Sequence, residues 1–148
     1  MASHDLETEL AVAWQTLTAE AGAAVTQLRH ALEQERQALE TSDVALLDAS
    51  TEAKLVALDR VQALDAERAQ LQQASNSHRP AQAWQAIGIE LGACKRFNVT
   101  NGAILQQRIS DVRHALAILR GVGEAAPELY GPAGGLAAGH RQQYFART

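Results

Sequence analysis

The longest hydrophobic pattern in the chain runs from Trp84 to Arg120 and repeats at alternating intervals of three and four residues. This spacing places its members on one side of an α-helix, as in a coiled-coil seam. The seam consists of Trp84, Ile87, Leu91, Cys94, Asn98, Asn101, Leu105, Arg108, Val112, Ala115 and Leu119. Because a buried carboxamide needs hydrogen-bonding partners, the two asparagines predict a polar contact that fixes the register of the helix.

Two further polar features mark this seam. Gly102 costs about 1 kcal/mol relative to alanine inside a helix, so either the helix breaks near residues 99–102 or another backbone approaches closely there. Arg108 has two interpretations: a side chain that reaches out to water, or an internal partner of an acid on the preceding helices. Asn98, Asn101 and Arg108 together are the predicted structural polar seam.

Two more helices precede this one. The first is predicted over about residues 5–39, with acidic side chains in its opening turns and an inward face spaced by threes and fours. That face is Leu6, Leu10, Trp14, Leu17, Ala21, Ala24 or Val25, Leu28, Leu32 and Leu39. The second is predicted over about residues 43–73, capped by Thr41, Ser42 and Asp43. Its stripe is Leu55, Leu58, Val61, Leu64, Arg68 and Leu71.

The third helix is predicted over about residues 80–120, with Pro80 at its first position. Short connections between long helices imply antiparallel neighbours. We therefore predict an all-α fold: an elongated antiparallel three-helix bundle over residues 1–120, with two long helices and a third that has a candidate interruption.

Residues 121–148 differ in composition from the rest of the chain. They hold six of the ten glycines and two of the three prolines, yet also both tyrosines and Phe145. Aromatic side chains are uncommon in plain disordered tails, so we interpret this stretch as a flexible, partly disordered recognition tail. The alternative is that Leu129 and Tyr130 fold back onto the bundle.

Charge is segregated along the chain. Residues 1–73 carry 13 acidic and 5 basic side chains, a net charge of −8, whereas residues 74–120 carry 2 and 6, a net charge of +4. Attraction between acidic helices and a basic third helix explains this pattern. With an overall charge of −4 and acidic helices beside the basic one, nucleic-acid binding is not expected.

No catalytic or metal site is predicted. The single cysteine, Cys94, lies on the apolar seam, which favours a reduced core residue over a nucleophile. Asp111 and His114 stand three apart, as ligands do in di-iron bundles, but the further pairs that such a site needs are missing. We expect no enzyme activity and no cofactor.

No apolar run is long enough to cross a bilayer, and the acidic first ten residues are unlike a secretory signal. Stable membrane insertion is therefore not expected. The cytoplasm is the expected location.

Four short patterns, taken in this order and spacing, resemble the FlgN family of bacterial flagellar export chaperones over roughly residues 6–135. They are Ser42, Asp43, Leu46, Leu47, Lys54, Leu55, Leu58 and Leu64; Asn98, Asn101, Gly102, Ile104 and Leu105; Leu119, Arg120 and Gly121; and Leu129, Tyr130, Gly131, Pro132 and Gly134.

The resemblance implies a chaperone that binds the hook-associated proteins of the flagellum, keeps them unassembled and delivers them to the export gate. It implies that Tyr130 contacts the cytoplasmic domain of the gate. The substrate contacts that it implies are Val112, Leu116, Leu119, Leu129, Leu136, Tyr144 and Phe145. Without substrate, the open apolar surface is expected to allow a homodimer.

Two alternatives from other classes stay open at this point. A non-catalytic coiled-coil scaffold that oligomerises through the first two helices explains the stripes, but it leaves Tyr130, Tyr144 and Phe145 without a purpose. A metal or cofactor bundle explains buried polar residues on the third helix.

Overall fold

The computed structural model describes residues 2–74 and 81–121, with side chains described from His4 and, in the third helix, from Gln82. These residues form three helices and no strand, which confirms the all-α prediction. The helices are α1 (Ala2–Thr41), α2 (Val44–Ala74) and α3 (Ala81–Leu119).

A tight reversal joins α1 to α2. Ser42 adopts a φ of 58°, in the left-handed region that ends helices. The Asp43 carboxylate then accepts a hydrogen bond from the Leu46 N–H at 3.0 Å, which satisfies an amide in the first turn of α2. Of the three predicted capping residues, Asp43 is confirmed, whereas the Thr41 hydroxyl donates to the Gln37 carbonyl in α1.

The chain divides into two units, Met1–Leu105 and Gln106–Thr148. In the first unit α1 and α2 are antiparallel, because Glu35 pairs with Lys54 and the earlier Glu20 pairs with the later Arg60. The predicted tail over residues 121–148 stays a prediction, since residues 122–148 lie outside the described part of the chain.

Within the same unit, residues 81–105 of α3 run in the direction of α1 and opposite to α2. The rings of Trp14 and Trp84 meet edge to face, 6.3 Å between centroids, and Leu32 contacts Asn101 further along both helices. Arg68, near the end of α2, lies over the Trp84 ring. Successive helices are therefore antiparallel, as predicted.

Most of the buried core belongs to α1. Its buried apolar residues are Trp14, Leu17, Ala21, Ala24, Val25, Leu28, Ala31, Leu32, Ala38 and Leu39. The inward face predicted from Trp14 to Leu39 is thus confirmed, whereas Leu6 is 57% exposed and that part of the prediction is wrong. α1 is the helix against which the other two pack.

Small residues are buried at seven-residue intervals on both α1 and α2. Ala24, Ala31 and Ala38 are buried on α1, and Ser50 and Ala57 are buried on α2. Side chains this short let two helix backbones approach closely, and the seven-residue interval keeps them on the facing sides.

The predicted stripe of α2 is wrong at its first member. Leu55 is 56% exposed, and the buried positions are Ser50, Ala57 and Leu64. A pattern built from large apolar residues favoured Leu55, but packing against the alanines of α1 selects the small residues instead.

A buried polar network joins the three helices inside this core. Asn101 is 1% exposed, and its amide donates to the Leu32 carbonyl and to the Glu35 carboxylate, each at 2.9 Å. Its oxygen accepts from Arg36 Nε at 2.8 Å. The second Glu35 oxygen accepts from Lys54 Nζ at 2.5 Å, so α2 joins the contact between α1 and α3.

The other asparagine of the seam is placed differently. Asn98 is exposed and accepts one hydrogen bond from Lys54 at 3.2 Å. Close by, α3 continues through Gly102, and a Cβ added there would meet nothing within 4 Å. Both explanations considered for Gly102, a broken helix and a close backbone, are therefore wrong.

Replacement of Asn101 by alanine should lower the free energy of unfolding by about 2–3 kcal/mol, because the Glu35 carboxylate and Leu32 carbonyl lose a buried donor. Urea unfolding measures the change. The matched control is Asn98→Ala, which removes the same side chain one turn earlier and should cost under about 0.5 kcal/mol. Equal losses in the two variants would contradict the importance of burial.

Gly102→Ala should raise the free energy of unfolding by about 0.5–1 kcal/mol, because alanine is the better helix former and its methyl group enters open space. The converse control is Ala103→Gly at the neighbouring exposed position, which should lower stability by a similar amount. Thermal unfolding measures both changes. A melting temperature of Gly102→Ala below that of the parent chain would refute the prediction.

Candidate functional site

An exposed apolar stripe lies on the last turns of α3, within the second unit. Val112, Leu116 and Leu119 are spaced by four and three residues, so they share one side of the helix. They are 59%, 43% and 82% exposed. The interpretation of Val112 and Leu119 as inward seam residues is therefore wrong, whereas the same side chains, with Leu116, present a surface that a partner can cover. Contiguous exposed apolar surface is typical of interaction sites.

Charged and polar groups border this stripe unequally. Arg113 and Arg120 are exposed, stand seven residues apart and lie along one edge. Toward the other side, the Asp111 carboxylate accepts a hydrogen bond from Gln107 at 2.8 Å. Ile118, 57% exposed, lies on the opposite side of the helix from the stripe. The segment is therefore amphipathic with a basic edge.

The helix ends directly after the stripe. Gly121 adopts a φ of 71°, a conformation that favours glycine, and its N–H donates to the Ile118 carbonyl. The Arg120 N–H donates to the Leu116 carbonyl. The main chain thus leaves the helix within one turn of Leu119.

The predicted site residues are only partly described. Leu129, Tyr130, Leu136, Tyr144 and Phe145 lie outside the described residues, so the structure brings together only the three stripe residues. Of the predicted polar seam, Asn101 is buried, Asn98 is exposed and Arg108 is half-buried in the second unit.

The structure adds two structural features that sequence reasoning missed. The first is the Glu35–Lys54 pair, whose partners lie 19 residues apart on different helices and share no local motif. The second is a groove between α1 and α2, lined by His30, Ala53, Val56 and other small or polar side chains. Its alanine-rich pattern on α2 is the sequence signal for close helix packing, which the large apolar residues obscured.

Two observations concern metal binding and nucleophilic chemistry in the described residues. No cluster of three or more His, Cys, Asp or Glu able to hold a metal occurs in residues 4–74 and 82–121. Cys94 is buried, and its pKa is raised, chiefly by burial and also by Glu90. A thiol with a raised pKa is mostly protonated near neutral pH and therefore a poor nucleophile.

None of the described helices has both the length and the apolar character needed to span a bilayer.

The family model described as "FlgN protein" matches residues 13–138. No curated protein and no solved structure matches the chain. The family match covers most of the sequence, including all of α2 and α3 and the apolar stripe with its basic edge. The chain therefore belongs to the FlgN family, whose members are flagellar export chaperones.

Proposed function

We propose that this protein binds hook-associated proteins of the flagellum in the cytoplasm, keeps them unassembled, and delivers them to the flagellar export gate without catalysing a reaction. Family membership supports the general role. The observation that carries the specific proposal is the exposed stripe of Val112, Leu116 and Leu119 on α3.

A stripe with this spacing suits helix-on-helix recognition. A protein that assembles through its own helices exposes an apolar face before assembly, and a chaperone that covers this face removes the assembly surface. Residues at positions i, i+4 and i+7 offer the matching face of a second helix. The occupant is therefore a helical segment of the hook-associated protein.

The stripe alone gives modest affinity. Burial of three large apolar side chains contributes about 5–9 kcal/mol at about 1.5–3 kcal/mol each, and association costs about 4–15 kcal/mol of lost freedom. Further contacts are needed, and Leu129, Leu136, Tyr144 and Phe145 are proposed to supply them. Because the net binding free energy is small, the substrate dissociates fast at the gate.

Two other contacts complete the proposal. Tyr130 binds the cytoplasmic domain of the export gate, separately from the substrate contacts, so that substrate and gate can be held together. Without substrate, the stripe pairs with a second copy of the chain, because isologous pairing covers the same apolar surface on both.

Val112→Ser should weaken binding of a purified hook-associated protein about tenfold, which is the affinity equivalent of leaving one valine unburied. Isothermal titration calorimetry gives the Kd. The matched control is Ile118→Ser, which removes an equally exposed side chain from the other side of the same helix and should change Kd less than about twofold. Equal changes in Kd for Val112→Ser and Ile118→Ser would show that the binding site is not centred on the stripe.

The two tyrosines of residues 121–148 should separate gate binding from substrate binding. Tyr130→Ala should lose capture of the gate's cytoplasmic domain and retain the hook-associated protein, whereas Tyr144→Ala should show the reverse pattern. Pull-downs of each variant against both purified partners make the comparison. Capture of no flagellar protein by the parent chain would favour the coiled-coil scaffold instead.

A further inference from the structure

The basic edge of the stripe carries information about the partner that the apolar residues do not. Arg113 and Arg120 are exposed, and neither belongs to an ion pair within the described residues. They stand two helical turns apart, a separation of about 10 Å along the axis. Two guanidinium groups thus point to solvent beside an apolar face.

The other charges of this segment do not neutralise that edge. Asp111 lies toward the opposite side and is held by Gln107. Arg108, at the far edge of the stripe, is half-buried and already engaged in a contact of its own. Residues 106–121 therefore carry three arginines against one carboxylate, and the exposed excess lies along one line.

Charges that flank an apolar seam select the partner helix in paired helices. In coiled coils the residues beside the seam form ion pairs across the interface and set partner choice and orientation. Opposite charges favour the complex, like charges disfavour it, and exposed charges also accelerate encounter.

We propose that Arg113 and Arg120 select a partner helix that carries acidic residues, two turns apart, along one edge of its apolar face. This inference rests on the proposed function, which places the partner helix on the apolar stripe, and it adds that this helix is acidic along one edge. The arginines act as discriminators at the rim of the interface, whereas Val112, Leu116 and Leu119 supply the buried contact.

Other occupants would exploit the same arginines differently. A basic amphipathic helix also adsorbs to anionic lipid, through headgroup contacts and shallow insertion of its apolar side. The two occupants differ in their need for spaced carboxylates, so the test includes a lipid arm.

The test measures binding of a purified hook-associated protein to the full chain at about 0.05 M and about 0.5 M salt, where screening lengths differ several-fold. Arg113→Glu combined with Arg120→Glu should weaken binding about tenfold at low salt and remove most of the salt dependence, as expected for rim charges. The control, Lys95→Glu combined with Arg96→Glu, makes the same change in net charge on the first unit and should alter Kd less than about twofold.

A second arm uses two designed amphipathic peptides with identical leucine faces and either glutamates or lysines seven residues apart at one edge. The parent chain should prefer the glutamate peptide about tenfold, and the Arg113→Glu, Arg120→Glu variant should prefer the lysine peptide. A reversal of preference cannot arise from misfolding, because a misfolded chain would lose both peptides.

Four outcomes would contradict the charge inference, the placement of the site or the proposed function, and they can be told apart. If Val112→Ser weakens substrate binding but the Arg113→Glu, Arg120→Glu variant binds as the parent does, the charge inference fails and the proposed function stands. If both variants bind as the parent does, the placement of the site fails as well. If no hook-associated protein binds the parent chain, the proposed function fails. The fourth outcome concerns lipid. Suppose that the parent chain sediments with vesicles of phosphatidylglycerol and phosphatidylcholine, that the Arg113→Glu, Arg120→Glu variant does not, and that the parent chain prefers neither peptide. The partner of the two arginines would then be a lipid surface and not an acidic helix.

Discussion

The buried carboxamide of Asn101 is the contact on which the arrangement of the three helices in the first unit depends. Its donors and its acceptor are all used within the core, on the Leu32 carbonyl, Glu35 and Arg36. A slip of α3 by one turn along α1 would leave the Asn101 carboxamide buried without its partners and would remove one hydrogen bond each from Glu35 and the Leu32 carbonyl. An unsatisfied buried polar group costs about 1–3 kcal/mol. Apolar contacts tolerate such slips far better, because hydrophobic attraction has no direction. The network therefore gives this bundle its unique register, while the apolar core gives it stability.

Much of this fold was predictable from the sequence because long helices leave strong periodic signals. The three helices, their antiparallel order, the Asp43 cap and the core face of α1 from Trp14 onward follow from spacing and capping chemistry alone. The face of α2 did not follow. Ser50 and Ala57 are buried on α2, and their small size allows close helix packing. A pattern based on hydrophobicity gives such residues little weight. The Glu35–Lys54 pair was likewise invisible, because its partners become neighbours only when α1 and α2 take one register.

Val112 and Leu119 had two interpretations before the structure: inward seam residues by their spacing, and substrate contacts by the family resemblance. Val112 and Leu119 continue the spacing of a buried seam, so periodicity alone interprets them as core. In the structure the seam is covered at Leu91, Cys94 and Asn101 but is exposed at Val112 and Leu119. Periodicity records that a side of a helix is apolar, and it does not record which molecule covers that side. An interaction surface and a core surface are built from the same residue types, so spacing alone does not distinguish them.

The left-handed glycine at the end of α3 has a consequence for affinity. Gly121 ends α3 within one turn of Leu119, so the chain that follows starts next to the stripe. A partner that rests on the stripe is then within reach of everything attached to that point. Under the proposed function, a second contact between this partner and residues after Gly121 is an intramolecular event, with an effective concentration on the order of millimolar for a short linker. In that proposal, two weak contacts, one on each side of Gly121, together bind more tightly than either alone, and the loss of one contact weakens the whole.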